Sequence, residues 1–325
     1  MNKSSILFLF VFIILFSCSE KKENSSRHST GKINTISIVI DNQLWNGVVG
    51  DSIRNKFAAP VEGLPKEEPI FNINQYPTDV MEGFVTKSRV IIVVKKGIEN
   101  RFSVQKNQYA SPQNIFHITG KSVATLLQLI EKNTPSIIQR IKKGEIAAHQ
   151  ELLNSSEIIP QSIQNQFQLD LKVPKNYSFT IKNDNFVWLK KEFSRGSSSI
   201  LVVQFPIKNI NLKNNVLNQI VKIQDSIGAL YIKGQEPTSQ MYIDTSYPLY
   251  LLKTTLDGKM AYEIKGTWKL KNSFMFGPFI NYLIVDNNKN RIIYLEGFCY
   301  VPSQDRRDYM HELESILKGV KIAEK

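Results

Sequence analysis

The sequence predicts an α+β protein made of two sequential α/β-sandwich-like halves, with mainly antiparallel sheets packed on helices. Three observations predict it. Ile36, Ile38 and Ile40 alternate with Thr35, Ser37 and Val39 at the period of two that marks a strand, and Asp41 then offers an N-cap for a helix through about Phe57, so the chain opens β-α. Beyond Pro160 the texture turns to short β-like runs separated by turn residues. Two stripes at helical spacing, Val216, Ile220, Ile223 and Ile227, then Met310, Leu313, Ile316 or Leu317, and Val320, give those runs something to pack on. A composition of 42% hydrophobic and 22% charged residues suits a buried core, and 325 residues allow one large domain or two of ordinary size.

In order along the chain, Pro60, Gly63, Pro65 and Pro69 break the segment after the first helix into an irregular loop, and Ile70 to Asn74 is a short strand candidate. Val90 to Val94 is wholly apolar and β-branched, which predicts a central strand buried on both faces. Residues 100–119 read as a strand pair split at Ser111-Pro112. From Ser122 the spacing is helical to about Leu153, and Thr134-Pro135 predicts a kink or restart because a proline suits the first turn of a new helix. Ser155-Ser156 and Pro160 mark an internal boundary, which gives an N-terminal α+β domain at 33–155 and a C-terminal one at 160–325.

In the second half, strands are expected at Leu169 to Val173, Tyr177 to Ile181, Phe186 to Glu192, Ile200 to Ile207, Met260 to Leu270, Asn281 to Val285 and Arg291 to Val301. Ser303 is the expected N-cap of a closing helix from about Gln304 to Lys318.

Residues 1–32 stand apart from both halves. Lys3 is followed by eleven apolar residues, Ile6 to Phe16, then Ser17 and Cys18. Eleven residues rise only about 16 Å as a helix, roughly half a bilayer, so the run is too short for a permanent span and reads as a signal. Leu15-Phe16-Ser17-Cys18 resembles a lipobox, which makes residues 1–17 a lipoprotein signal peptide and Cys18 an acylated N-terminus. Residues 19–32 carry no aliphatic or aromatic side chain and form a flexible tether.

The formal net charge of +12 falls to +11 when residues 1–17 and their Lys3 are removed, and it is scattered over doublets such as Lys142-Lys143 and Arg306-Arg307. That pattern suits anionic lipid or glycan phosphate outside the cytoplasm; nucleic acid is not an expected partner. With Cys18 acylated, Cys299 is a lone thiol between aromatics, a small buried hydrophobe by type.

No residue pattern announces catalysis. His-Glu-x-x-His, Gly-x-Ser-x-Gly and the phosphate loop are missing from the sequence, and four histidines without ligand spacing predict neither a metal nor a cofactor. Asp305-Arg306-Arg307-Asp308 places Arg306 and Arg307 where a helix start grips an anion, although solvated helix charges explain them more simply. Glu67-Glu68 is a carboxylate pair that needs a facing partner. Phe274-Met275-Phe276-Gly277-Pro278-Phe279 reads either as core or as an exposed apolar loop, with Phe274, Met275, Phe276 and Phe279 as candidate partner contacts; Gly277-Pro278 favours a loop.

Trp45-Asn46-Gly47 with Gly50-Asp51, Leu64-Pro65-x-x-Glu68-Pro69-x-Phe71, Gly266-Thr267-Trp268, Gly277-Pro278-Phe279 and Leu295-Glu296-Gly297-Phe298-Cys299-Tyr300-Val301-Pro302 resemble an uncharacterised family of Bacteroidota lipoproteins known only as a domain of unknown function. The resemblance spans nearly the whole mature chain and implies localisation and length, with no assigned activity. The C-terminal half resembles the α/β/α sandwich of extrinsic photosystem subunits in topology alone. Together these readings point to a non-catalytic envelope lipoprotein, held to the outer membrane by acyl chains, that binds a protein or another envelope component. The alternative is an envelope hydrolase acting on glycan, peptide or lipid.

Overall fold

The computed structural model describes residues 27–153, 157–158, 160–212, 214–234, 236 and 238–323, so the predicted signal, Cys18 and Ser155-Ser156 lie outside the described residues. The chain is α+β, in two sequential parts, as the alternations and stripes predict.

The first part comprises β1 (Thr35–Ile40), α1 (Asn42–Trp45), α2 (Val48–Phe57), β2 (Asn72–Tyr76), β3 (Val90–Lys96), β4 (Arg101–Lys106), β5 (Asn114–Gly120) and α3 (Val123–Leu153). Its sheet runs β2-β1-β3-β5-β4. The β-α start sets the pairing: a strand that leaves through a helix or long loop returns beside itself in the same direction. β1 therefore pairs in parallel with β2 and β3, and β3 with β5, while the hairpin partner β4 is antiparallel. Ile36, Ile38, Ile40, Ile92 and Val94 bury against Ile53 and Phe57 of α2 and Leu126 and Ile130 of α3. The opposite face, Val39, Ile91, Val93 and Ile115, is covered by Tyr76, Met81 and Val85, so β3 is buried on both sides.

Two local expectations differ. The helix predicted from Asp41 to Phe57 is two helices. Asp41 caps the first by accepting the Gln43 N–H at 2.8 Å, and the chain then restarts after an extended Gly47. Gly50 lets α2 fold back on α1, since a Cβ there would lie 1.8 Å from the Trp45 carbonyl oxygen. Conversely, α3 runs unbroken through Pro135. A proline inside a helix costs ~3 kcal/mol. Leu126, Ile130, Ile137 and Ile141 bury in one row on both sides of it, and each such side chain contributes about 1.5–3 kcal/mol, so packing holds the helix whole. Asn133 and Thr134 donate back to the Leu129 and Ile130 carbonyls, both at 2.7 Å.

The second part contains α4 (Gln161–Phe167), β6 (Ser178–Asn183), β7 (Phe186–Phe193), β8 (Gly196–Pro206), α5 (Val216–Tyr231), β9 (Met241–Ile243), β10 (Tyr250–Leu256), β11 (Lys259–Leu270), β12 (Phe276–Asp286), β13 (Arg291–Tyr300) and α6 (Arg307–Lys318). The order is β9-β11-β12-β13-β8-β7-β6, with β10 also on β11, and every pairing is antiparallel. Ile163, Phe167, Leu313 and Leu317 of α4 and α6 cover one face. Ile220 and Ile227 of α5 cover the other, which makes an α/β/α sandwich. The expected strand at Leu169 to Val173 is replaced by two short pairings, Leu169–Asp170 with Lys321–Ile322 and Val173–Pro174 with Glu157–Ile158.

Phe276 to Pro278 belong to β12, pairing with Lys269 to Thr267 of β11, which corrects the loop expected at Gly277-Pro278. The strand passes because Pro278 needs no donor there. The Cys299 carbonyl accepts the Trp268 indole N–H at 3.3 Å, and a Cβ on Gly277 would sit 2.0 Å from that carbonyl oxygen.

Under α5 lies a fully buried carboxyl, Glu296, on β13. It accepts the Tyr294 hydroxyl at 2.6 Å and the Gln224 amide at 2.9 Å, and Asn281 donates to Gln224 and Tyr294 at 2.9 and 3.1 Å. Burial pushes Glu296 up to about 8.

Candidate functional site

The two parts meet where α3 lies against α6. Glu145 of α3, buried, accepts the Asn34 backbone N–H at 2.8 Å and a forked pair of donors from Arg89 at 2.8 and 3.1 Å. One turn on, the rings of His149 and His311 stack at 5.3 Å, and Gln150 donates to the Ser315 carbonyl at 2.8 Å. Burial, then the neighbouring His311, holds His149 down at about 4, so this contact is made by neutral rings.

The other tie is Glu68. Its buried carboxylate accepts the backbone N–H of Arg306 at 2.8 and 2.9 Å and of Arg307 at 2.7 Å, at the start of α6. The expectation that Arg306 and Arg307 grip an external anion is therefore corrected, because the helix start already holds the chain's own carboxylate. It also displaces Ser303 as the cap: α6 begins at Arg307 and takes its cap from Glu68. The Arg307 guanidinium donates to the Pro69 carbonyl at 2.8 Å and to Asn72 at 3.2 Å, and Arg306 lies over the Phe276 ring at 5.7 Å.

Between these ties is a cavity of about 490 Å³ lined by both parts. Leu64, Phe71 and Ile146 line it from the first part, and Leu252, Phe279 and Met310 from the second. On one wall four charges alternate in a closed ring. Lys265 lies 3.2 Å from Glu263 and 3.4 Å from Glu314, while Lys318 lies 3.5 Å from Glu263 and 2.5 Å from Glu314. Tyr282 donates its hydroxyl to Glu263 at 2.8 Å. Burial opposes ionisation of Glu314, yet the ammonium groups of Lys265 and Lys318 outweigh it and hold the carboxyl down at about 2. Lys265 is likewise desolvated, and Glu314 and Glu263 raise it above the ordinary lysine value.

Lys142 and Lys143, on α3, also line the cavity. Lys142 is exposed on its outer side, yet lost hydration, and then Lys265, lower its pKa against the opposing pull of Glu314 and Glu62. Among the described residues Lys142 makes no hydrogen bond or salt bridge to an acid. The ring is internally neutral, and among the other charged residues that line the cavity Lys142, Lys143 and Arg307 outnumber Glu62, which leaves an excess of positive charge beside the apolar lining.

The other sequence candidates scatter. Phe279 is 1% exposed and belongs to the core, which corrects its reading as a partner contact. Met275 is half-buried, Phe276 is 37% exposed and Phe274 is 100% exposed. Cys299 is buried and its thiol is pushed up to about 12 by burial, the reverse of nucleophilic activation. Sequence reasoning missed the charge ring. Its signal was present: Glu263 and Lys265 share one face of a strand whose neighbours are apolar, and Glu314 and Lys318 are one helical turn apart.

The family model described as Domain of unknown function (DUF4837) matches residues 156–319, half of the chain. The chain belongs to the DUF4837 family. A second model, Domain of unknown function (DUF8532), matches residues 29–154, so the cavity lies between a DUF8532 segment and the DUF4837 segment. Among curated proteins none matches. Two solved structures are similar in part. The Saccharomyces cerevisiae Ran-binding protein Mog1p has 12% identity and a TM-score of 0.30 over 47% of this chain and 89% of its own. Human StAR-related lipid transfer protein 5 has 6% identity and a TM-score of 0.24 over 55% of this chain and 98% of its own. Likenesses of that size fix neither fold nor ligand for the DUF4837 chain.

Proposed function

We propose that the protein is a non-catalytic lipoprotein of the cell envelope, anchored to the outer membrane through acyl chains on Cys18, that binds a small amphipathic anion in the cavity between its two parts. The observation that carries the ligand class is Lys142, a partly dehydrated ammonium without a bonded acid, above apolar side chains from both parts. Such a site rewards a carboxylate or phosphate head joined to an apolar body, because the head adds counter-charge and the body displaces water from Leu64, Ile146 and Leu252. The hydrolase reading gains no support from this geometry, since Glu263 and Glu314 are both committed to lysines.

Calorimetric titration of the full chain with dodecanoate and with dodecanol tests the ligand class. Dodecanoate binds saturably, dodecanol much more weakly, and Lys142→Gln weakens the carboxylate about tenfold or more by removing a charge-assisted contact. An affinity untouched by Lys142→Gln refutes the assignment. Because the bound anion favours protonated Lys142, affinity falls on the alkaline side at a lower pH than an ordinary lysine imposes. The anchor is tested separately: Cys18→Ala abolishes detergent-phase partitioning of the processed chain, and unchanged partitioning refutes acylation there.

A further inference from the structure

Beyond the cavity, one end of the large sheet carries a feature that neither the ligand site nor the fold requires. The turn between β11 and β12 presents Phe274 with its side chain 100% exposed. Phe276, two residues on, is 37% exposed, so the tip carries two neighbouring aromatic rings rather than a single one. The turn is also braced. Leu270 N–H donates to the Met275 carbonyl at 2.9 Å, Met275 N–H to the Ser273 hydroxyl at 3.1 Å, and the Asn272 amide to the Thr238 hydroxyl at 3.0 Å. Phe276 beside it is held under the Arg306 guanidinium, so the aromatic pair is displayed on a firm support.

The register collects positive charge around this tip. Lys269 pairs with Phe276, Phe193 pairs with Gly196 across the turn that carries Arg195, and Ser197 pairs with Tyr300, so both turns lie at one end of the sheet. Lys233 joins them, since Lys233 bridges Gln240 and the Gln240 carbonyl accepts the Lys271 backbone N–H at 3.0 Å. Among the described residues Arg195, Lys269 and Lys271 make no ion pair. The acids near this end are Glu192, held by Lys190 at 2.7 Å, Asp305, 3.7 Å from Lys66, and Glu236.

Chain geometry brings the same end within reach of a membrane. Asn34 donates to Asp308 at 3.3 Å in the first turn of α6, two residues from the arginine that covers Phe276. Residues 27–30, expected as part of the tether, are instead held against Ser111 and Lys87, so the free link leaves the fold at Arg27, nine residues and at most about 32 Å from Cys18. We infer that this end docks on an anionic lipid bilayer, with Phe274 entering the interface and Arg195, Lys233, Lys269 and Lys271 facing the headgroups. Aromatic rings favour that depth, and basic side chains are drawn to the negative surface. The inference rests on the envelope reading for its membrane, but not on the cavity or its ligand.

The test uses the full chain with Phe274→Trp, mixed with brominated vesicles of phosphatidylcholine and phosphatidylglycerol, or of phosphatidylcholine alone. Quenching beyond that of the parent chain, with its three tryptophans, reports position 274. Excess quenching is expected in the anionic vesicles, and Arg195→Glu with Lys271→Glu, both exposed, reduces it several-fold. A chain that sediments with anionic vesicles while Trp at 274 stays unquenched overturns the docking and leaves the anchor intact. A chain that does not sediment at all overturns docking and anchor together. Shielding of position 274 only on adding envelope protein overturns the lipid occupant in favour of a protein one.

Discussion

Replacing Glu296 by glutamine is expected to stabilise the protein at neutral pH and to remove much of its alkaline sensitivity. Glu296 is wholly buried, and its two hydrogen bonds come from neutral groups, Tyr294 and Gln224; no cation offsets its desolvation. Its carboxyl titrates at about 8 in the fold against an ordinary 4.5. The native state thus keeps a proton that the unfolded chain releases above 4.5, and unfolding releases protons throughout that interval. Stability from this group is fully present below pH 4.5 and is lost as pH rises to about 8. At 1.36 kcal/mol for each pH unit, the loss between pH 5 and pH 8 is about 4 kcal/mol, a large part of a total stability of roughly 5–15 kcal/mol. Glutamine mimics the protonated acid and has nothing to titrate. Urea unfolding at pH 5 and pH 8 measures the difference: the parent should lose about 4 kcal/mol more than Glu296→Gln across the interval. Parallel pH curves for the two proteins would show that the carboxyl is not desolvated in solution, and the reasoning would fail.

Three further outcomes are expected. Glu68→Gln removes the charge from the carboxyl that binds two backbone N–H groups at the start of α6, and should lower stability by about 1–3 kcal/mol in thermal unfolding. Lys265→Met leaves Glu263 and Glu314 with Lys318 alone on a largely buried wall. It should cost about 3–5 kcal/mol, with much of the loss recovered in Lys265→Met with Glu314→Leu; a single variant as stable as the parent refutes the ring as a coupled unit. Phe276→Asp, beside Arg306 and over a third exposed, should keep a cooperative transition within a few degrees of the parent, whereas Phe279→Asp buries an unpaired charge and should abolish it.

The elements most legible in the sequence were those whose period is set by a single buried face. β1, with isoleucine at alternate positions, α5 and α6, with their stripes, all sit where the periodicity places them. β3 was readable for the opposite reason, since five apolar residues in a row admit only a strand covered on both sides. β10 was not readable: Tyr250, Leu251 and Leu252 are all exposed, and without a buried face a strand has no alternation to announce it. The unbroken α3 was missed because the weight against Pro135 comes from side chains in other elements. The junction was hidden for a related reason. Glu68, Lys142, Glu263 and Glu314 are distant in sequence, and each alone looks like a surface charge; only the folded arrangement decides which are paired.

Glu68 also bears on how the two matched segments relate as heritable parts. It lies in the DUF8532 segment, and the amide groups it satisfies lie in the DUF4837 segment. Separated, the first segment would carry a carboxylate stripped of its donors, and the second a helix with its opening amides bare. The carboxylate acts for α6 as a built-in counter-ion delivered by a neighbouring module. A gene fusion that kept the DUF4837 segment while exchanging its upstream partner would therefore have to bring an acid to that point, and truncation at the boundary should resemble removal of a bound ion more than removal of a spectator domain.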